Sequence, residues 1–141
     1  MPNDVFFQLV TRQLAEGNTV NVPLTGSSMS PTLMQGRDNL VLAPLPSQAK
    51  LRRYDVVLFR YHGTYILHRI VKMDGDTLVT RGDALISTET PLRSDVVAKL
   101  VAISDTQTGK VTQCDTLWWK WLTVKGVFWK QLKRKIKRLI R

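Results

Sequence analysis

One loop of the chain could carry nucleophilic chemistry. Residues 26–33 read Gly-Ser-Ser-Met-Ser-Pro-Thr-Leu, so small polar residues surround one apolar methionine between two strand-like segments. A serine hydroxyl is a weak nucleophile at neutral pH and needs an adjacent base. Acyl chemistry also needs a backbone N–H group that stabilises the oxyanion. Taken alone, the segment is typical of an ordinary Ser/Gly/Pro loop, and the nucleophile is the alternative.

Two histidines could act as the base. His62 falls in a predicted hairpin turn, where a solvent-exposed role is typical. His68 falls in the apolar run 65–71, and strand alternation places it on the same face as Ile66 and Ile70. A histidine in that setting is commonly a hydrogen-bonded core residue. It is also suited to general-base catalysis, because histidine ordinarily titrates at about pH 6.5.

A catalytic histidine needs a partner that fixes its tautomer, and a carboxylate can do so. Asp83 follows Arg81-Gly82 at the end of the next predicted strand. A β-meander would bring Asp83 close to His68. A Gly-Asp pair alone is only a turn signal, so this pairing is a hypothesis.

The periodicity of the apolar residues predicts the elements that position these groups. Helical spacing predicts an amphipathic helix at 4–16, on which the apolar residues are Val5, Phe6, Leu9, Val10 and Leu14. Alternation bounded by turn residues predicts seven strands, at 19–24, 39–43, 55–61, 64–72, 77–81, 96–104 and 110–114. His62-Gly63 should form a tight hairpin turn. The predicted fold class is therefore mainly β, mostly antiparallel, with one leading helix.

The composition fits one domain whose positive charge lies at one end. The 141 residues carry a net charge of +10, and residues 117–141 hold nine Lys or Arg and no acidic residue. Residues 1–116 are therefore almost neutral, which argues against a globular nucleic-acid-binding domain. Cys114 is the only cysteine, so no intrachain disulfide or cysteine-based metal site is expected. Neither a transmembrane span nor a signal peptide is expected from the apolar runs.

Four segments, in this order, resemble the sequence boxes of type I signal peptidases and their S24/S26 relatives. They are Ser-Met-Ser-Pro-Thr-Leu at 28–33, Tyr-Asp-Val-Val-Leu-Phe at 54–59, His-Arg-Ile-Val at 68–71 and Arg-Gly-Asp at 81–83. Bacterial members of that family usually have lysine as the base, and the endoplasmic-reticulum and archaeal type has histidine. The resemblance implies a signal-peptidase/LexA-like β-fold and a serine endopeptidase.

The resemblance also implies roles for individual residues. Ser28 would be the nucleophile, its N–H would contribute to the oxyanion hole, and His68 would be the base. Asp83 would be the acidic member that orients or supports the site. Met29 and Pro31 would shape the turn and the substrate cleft. The implied partner is an extended leader or precursor peptide, and no metal or organic cofactor is implied.

Three positions depart from the family pattern. Gly26 stands where many bacterial members have a serine that helps hold the oxyanion, Tyr54 replaces a usual glycine, and Ala84 replaces a usual asparagine. We also expect no N-terminal membrane anchor of the kind that is typical of signal peptidases. Two alternatives therefore stay open: a non-catalytic peptide-binding module of the same fold, and a LexA-like self-cleaving regulatory protease.

Residues 117–141 predict a basic amphipathic helix, separate from the catalytic domain at 1–116. Its apolar stripe comprises Trp121, Val124, Phe128, Leu132, Ile136 and Leu139. Tryptophans beside a basic face are typical of a helix at a membrane interface. The sequence therefore predicts peripheral membrane binding through Trp118, Trp121, Phe128, Lys133 and Arg134. Packing of the helix on the β-domain is the main alternative, and a nucleic-acid partner is not expected.

Overall fold

The computed structural model describes residues 3–45 and 50–140. Side chains are described for these residues except 3–7 and 140. Val5 and Phe6, two of the apolar residues predicted for the first helix, therefore have side chains that lie outside the described part of the structure.

Within the described residues, seven strands form one antiparallel sheet, and each matches a predicted strand. Their bounds are β1 Val20–Pro23, β2 Asp38–Pro44, β3 Val56–Tyr61, β4 Thr64–Asp74, β5 Thr77–Arg81, β6 Val96–Asp105 and β7 Val111–Gln113. The strand order is β1-β2-β6-β3-β4-β5, and β7 pairs with β6. The predicted fold class, mainly β with a helix at each end, is confirmed.

Strand β6 joins the two halves of the sheet. One of its edges pairs with β2 along residues 98–105. Its other edge pairs with β3 through residues 96–99 and with β7 through residues 102–104. The β1–β2 hairpin and the β3–β4–β5 meander are therefore held in a single sheet, although their sequences are far apart.

A two-residue turn sets the register between β3 and β4. His62 and Gly63 have φ angles of 50° and 79°, and Tyr61 pairs directly with Thr64. Positive φ at both central residues is the signature of a tight hairpin turn, as the sequence predicts. In this register His68 lies opposite Val57, which belongs to one of the two apolar clusters of the core.

The N-terminal helix α1, Asn3–Ala15, packs on the other core cluster. Val10 and Leu14 are buried, whereas Leu9 is exposed, so the packed face is narrower than the apolar pattern suggests. The helix ends before Gly17, whose φ of +85° turns the chain so that the next N–H, that of Asn18, donates back to the Gln13 carbonyl at 3.0 Å.

The C-terminal helix α2, Leu117–Ile140, packs on the sheet through its first half. Thr116 caps its start, because the Thr116 hydroxyl accepts from the Trp119 N–H at 3.1 Å. Trp119 joins the main core cluster, and Lys120 and Val127 are also buried. In the described part of the chain, neither helix is both long and apolar enough to cross a membrane.

Candidate active site

The serine-rich loop after β1 forms a turn that is anchored in the core. The Ser30 N–H donates to the Ser27 carbonyl at 3.0 Å, which places half-buried Ser28 at the corner. Met29 and Leu33 are buried in the main cluster. The Leu33 N–H donates to the Met29 carbonyl at 2.9 Å. Two apolar side chains therefore fix the turn from beneath, while the Ser28 hydroxyl is presented to β4.

Three side chains form a continuous hydrogen-bonded chain. Ser28 Oγ lies 3.1 Å from His68 Nε2, and His68 Nδ1 lies 2.7 Å from Glu89 Oε1. When the Glu89 carboxylate is ionised it can only accept hydrogen bonds; Nδ1 then carries the hydrogen, and Nε2 is left to accept from the serine hydroxyl. The His68 and Glu89 side chains are 8% and 12% exposed, so the arrangement is largely shielded from water.

Glu89 is held in place by its neighbour Thr80 on β5. The two residues exchange a pair of backbone hydrogen bonds, each 2.9 Å long. The Thr80 hydroxyl also donates to Glu89 Oε1 at 2.9 Å, and Thr80 is fully buried. The carboxylate on the imidazole is therefore Glu89, a residue that the sequence analysis did not single out.

Asp83, the predicted acidic member, makes different contacts. Its carboxylate accepts two hydrogen bonds from Arg69, Nε to Oδ1 at 2.9 Å and Nη2 to Oδ2 at 2.8 Å. The Thr32 hydroxyl donates to Oδ2 at 2.6 Å. Both members of the ion pair are 3% exposed at the side chain. Asp83 thus ties β4 to the nucleophile loop, and the imidazole contact belongs to Glu89.

Gly82 occupies a position with no room for a side chain. A Cβ atom there would lie 2.6 Å from the Ser28 carbonyl oxygen and 2.9 Å from His68 Nε2. The next segment also contacts the turn, because the Ala84 N–H donates to the Ser28 carbonyl at 2.9 Å. The backbone at 82–84 therefore lies directly against the Ser28 main chain and the His68 imidazole.

The backbone N–H groups near Ser28 differ in availability. The Gly26 N–H donates to Gln35 Oε1 at 2.9 Å. Within residues 3–45 and 50–140, the Ser28 N–H has no hydrogen-bond acceptor. The Ser28 amide is therefore available to an incoming oxygen, whereas the Gly26 amide is occupied.

The second sequence box supports the site from the side of α2. Asp55 is 1% exposed and pairs with Lys120 of α2 and, at 3.5 Å, with Lys99 of β6. The Tyr54 carbonyl accepts from Arg69 Nη1 at 3.2 Å. Tyr54 has a φ of +74°, a conformation that glycine adopts without strain.

The remaining predicted residues are spread over the surface and the core. Pro31 is exposed beside the turn, whereas Met29 is buried and its sulfur lies 3.5 Å from the Asp83 N–H. The predicted membrane residues are all exposed on α2: Trp118, Trp121, Phe128, Lys133 and Arg134. Burial raises the pKa of the Cys114 thiol to about 12, so this thiol stays protonated and does not compete as a nucleophile.

The sequence model of one protein family, described as signal peptidase, peptidase S26, matches residues 8–125. The match includes the serine turn, His68, Glu89 and the first nine residues of α2, 117–125. No individual curated protein matches the chain.

We expect Gly82→Ala to inactivate the site without unfolding the protein. The new methyl group meets the Ser28 backbone and displaces the imidazole, and a displacement of about 1 Å can cost about a hundredfold in rate. The measurement is the labelling rate of Ser28 by a serine-directed phosphonate probe. Gly126→Ala is the matched control, because a Cβ atom at 126 meets nothing within 4 Å. Equal labelling of both variants would contradict the packing argument.

We expect Asp83→Asn to act through stability. The substitution leaves the Arg69 charge buried without its partner, which typically costs about 3 kcal/mol or more in the free energy of unfolding. Chemical denaturation followed by circular dichroism measures this loss. Asp74→Asn, at an exposed position, is the control and should unfold like the unmodified protein. An unchanged free energy for Asp83→Asn would show that the pair does not stabilise the fold.

Proposed function

The chain belongs to the signal peptidase family, peptidase S26, and within that family we propose that it is a serine endopeptidase. Ser28 is the nucleophile, His68 is the general base, and Glu89 positions the imidazole. The observation that carries this proposal is the continuous chain of contacts from Ser28 Oγ through the imidazole to Glu89 Oε1. Its substrate is an extended leader or precursor peptide.

The proposed reaction passes through an acyl-enzyme. His68 Nε2 takes the proton from Ser28 Oγ while the oxygen attacks the scissile carbonyl, and the tetrahedral intermediate then collapses. His68 gives that proton to the leaving amine as the peptide C–N bond breaks. A water molecule, deprotonated by His68, then releases the acyl group and restores the Ser28 hydroxyl. Glu89 accepts from Nδ1 throughout and stabilises the transient imidazolium.

Stabilisation of the oxyanion is proposed to come from the Ser28 amide. A preorganised N–H donor is most effective when it is directed at the charge that develops in the transition state. The Ser28 N–H can act as this donor, because it donates no hydrogen bond to any described residue. The Gly26 amide is committed to Gln35, and Gly26 brings no hydroxyl. The site therefore relies on fewer donors than a family member with serine at this position.

The substrate is proposed to bind as an added β-strand. Strand β1 lies at the edge of the sheet and leads directly into the nucleophile turn. Strand β5 pairs with β4 only from Arg69 onward, just beyond His68. An extended peptide can form backbone hydrogen bonds with the free edge of β1 or with the unpaired part of β4, and it can place alternate side chains in the cleft.

The contacts of Lys99 and Lys120 weaken the LexA-like alternative, which normally uses a lysine base. Lys99 and Lys120 both pair with Asp55, and the base position at Ser28 is taken by His68. The non-catalytic alternative keeps the same cleft but has no activated serine. A covalent probe separates it from the proposal, because only an activated serine is labelled rapidly.

We expect the phosphonate probe to label the unmodified protein at Ser28. Ser28→Ala should not be labelled, and His68→Ala should react at least about a thousandfold more slowly, because the two residues act as one unit. Ser94→Ala, at an exposed position, is the control and should react normally. Labelling sites and rates are read by intact-mass spectrometry. Absence of labelling in the unmodified, folded protein would favour the non-catalytic module.

We expect Glu89→Gln to slow labelling by about a hundredfold or more without lowering the melting temperature. The amide can donate a hydrogen bond to Nδ1 and thereby favour the tautomer in which Nε2 is no longer an acceptor. Glu16→Gln is the control, because Glu16 is exposed at the end of α1. If the Glu89→Gln rate equals that of the unmodified protein, Glu89 does not position the imidazole.

A further inference from the structure

Helix α2 has two faces with different surroundings. Trp119, Lys120 and Val127 form the inner face and are buried against the sheet. Successive residues of an α-helix are about 100° apart, so Trp121 and Phe128 project from the opposite side. They are 53% and 60% exposed. The outer face therefore takes no part in holding α2 to the sheet.

The outer face is apolar and aromatic along its length. Its exposed apolar residues are Leu117, Trp118, Trp121, Leu122, Phe128, Trp129, Ile136 and Leu139. Two aromatic pairs form on this surface: the Trp118 and Trp121 rings stack at 5.4 Å, and the Phe128 and Trp129 rings meet edge to face at 6.3 Å. A contiguous exposed apolar surface of this kind usually marks an interaction site.

The positive charge of α2 indicates which kind of partner can bind to the outer face. Beyond Trp129 the described cations are all exposed: Lys130, Lys133, Arg134, Lys135, Lys137 and Arg138. Lys125 lies 4.8 Å above the Trp121 ring, within the apolar face. No acidic residue is present in 117–141. A second copy of the helix would bring a second set of like charges, whereas anionic lipid headgroups would neutralise them.

We propose that the outer face of α2 docks on an anionic bilayer surface while the inner face stays on the sheet. The aromatic and aliphatic side chains enter the headgroup region. Lys125, Lys133 and Lys135 lie within or beside the outer face, and their long stems let their charges reach lipid phosphates, while the cations on the other side of the helix act at longer range. The helix is about 36 Å long, so its second half extends the contact beyond the sheet. The pairing of Lys120 with Asp55 is undisturbed, because it belongs to the inner face.

The test uses the full chain carrying Ser28→Ala, so that its result is independent of catalysis. Co-sedimentation is measured with vesicles of phosphatidylcholine alone and with phosphatidylglycerol added. We expect binding to the anionic vesicles that weakens with salt but persists, since apolar burial contributes as well as charge. Brominated lipids should quench the fluorescence of the outer-face tryptophans. Absence of co-sedimentation with the anionic vesicles would overturn the proposal.

Two sets of substitutions separate the apolar and ionic contributions. Replacing Trp121, Phe128 and Trp129 by Ser should lower vesicle partition more than about a hundredfold. Replacing four cations by Gln should lower it by about a hundredfold at low salt and remove the preference for anionic lipid, while Gln preserves helix propensity. The four cations are Lys133, Arg134, Lys135 and Lys137.

The matched control replaces Leu9 and Val111 by Ser, because both are comparably exposed but lie outside α2. It should bind vesicles like the parent. Circular dichroism checks that every variant keeps α2. If the aromatic variant unfolds, the charge variant and the quenching of the intact chain still decide the question. A dimer in solution that dissociates on aromatic substitution, without lipid binding, would instead make a second copy the occupant.

Discussion

The buried pairing of Arg69 with Asp83 connects β4, the 82–84 segment, the nucleophile loop and α2 at the candidate active site. It joins β4 to the 82–84 segment, and Thr32 extends it to the nucleophile loop. The Arg69 guanidinium also lies 5.3 Å from the Trp119 ring of α2. A charge buried without its partner is strongly destabilising, so these elements are stable only together. The pair therefore couples the stability of the fold to correct assembly of the site.

Because side chains alternate along a strand, one face of β4 carries the Arg69 ion pair and the other carries the His68 imidazole. Arg69 lies opposite Arg81 in the β4–β5 register, so Arg69, Arg81 and Asp83 share one face. His68 and Gly82 share the other, which is why a Cβ atom at 82 would meet the imidazole. A meander does bring the Gly-Asp pair beside the histidine, as the sequence suggests. Because side chains alternate along a strand, however, position 83 falls on the face of Arg69, and its carboxylate pairs with Arg69.

The strands and the serine–histidine contact were predictable, because they depend on local periodicity and on the order of the sequence boxes. Glu89 was not, because residues 82–95 carry no periodic pattern. Its place depends on two backbone bonds to Thr80, which form only once β5 is in the sheet. The positive φ of Tyr54 could not be read from tyrosine itself, although the glycine that the family resemblance implies at this position is compatible with it. Long-range pairing and backbone geometry thus supplied what sequence patterns could not.

The charge pattern separates residues 117–141 from the rest of the chain. The packing instead divides α2 into a buried face and an exposed face. The apolar stripe recognised in the sequence contains Trp121 and Phe128, which are exposed, and omits Trp119 and Val127, which are buried. A hydrophobic stripe shows that a helix has an apolar side, but it does not show which partner covers that side. Lys120 decides the docking, because it is the cation of α2 that pairs with buried Asp55. If α2 moved away from the sheet, the Asp55 carboxylate would lose Lys120, and the Arg69 guanidinium would lose its contact with the Trp119 ring. A bilayer can therefore engage α2 at low cost only through the outer face, with the candidate active site intact on the other side of β4.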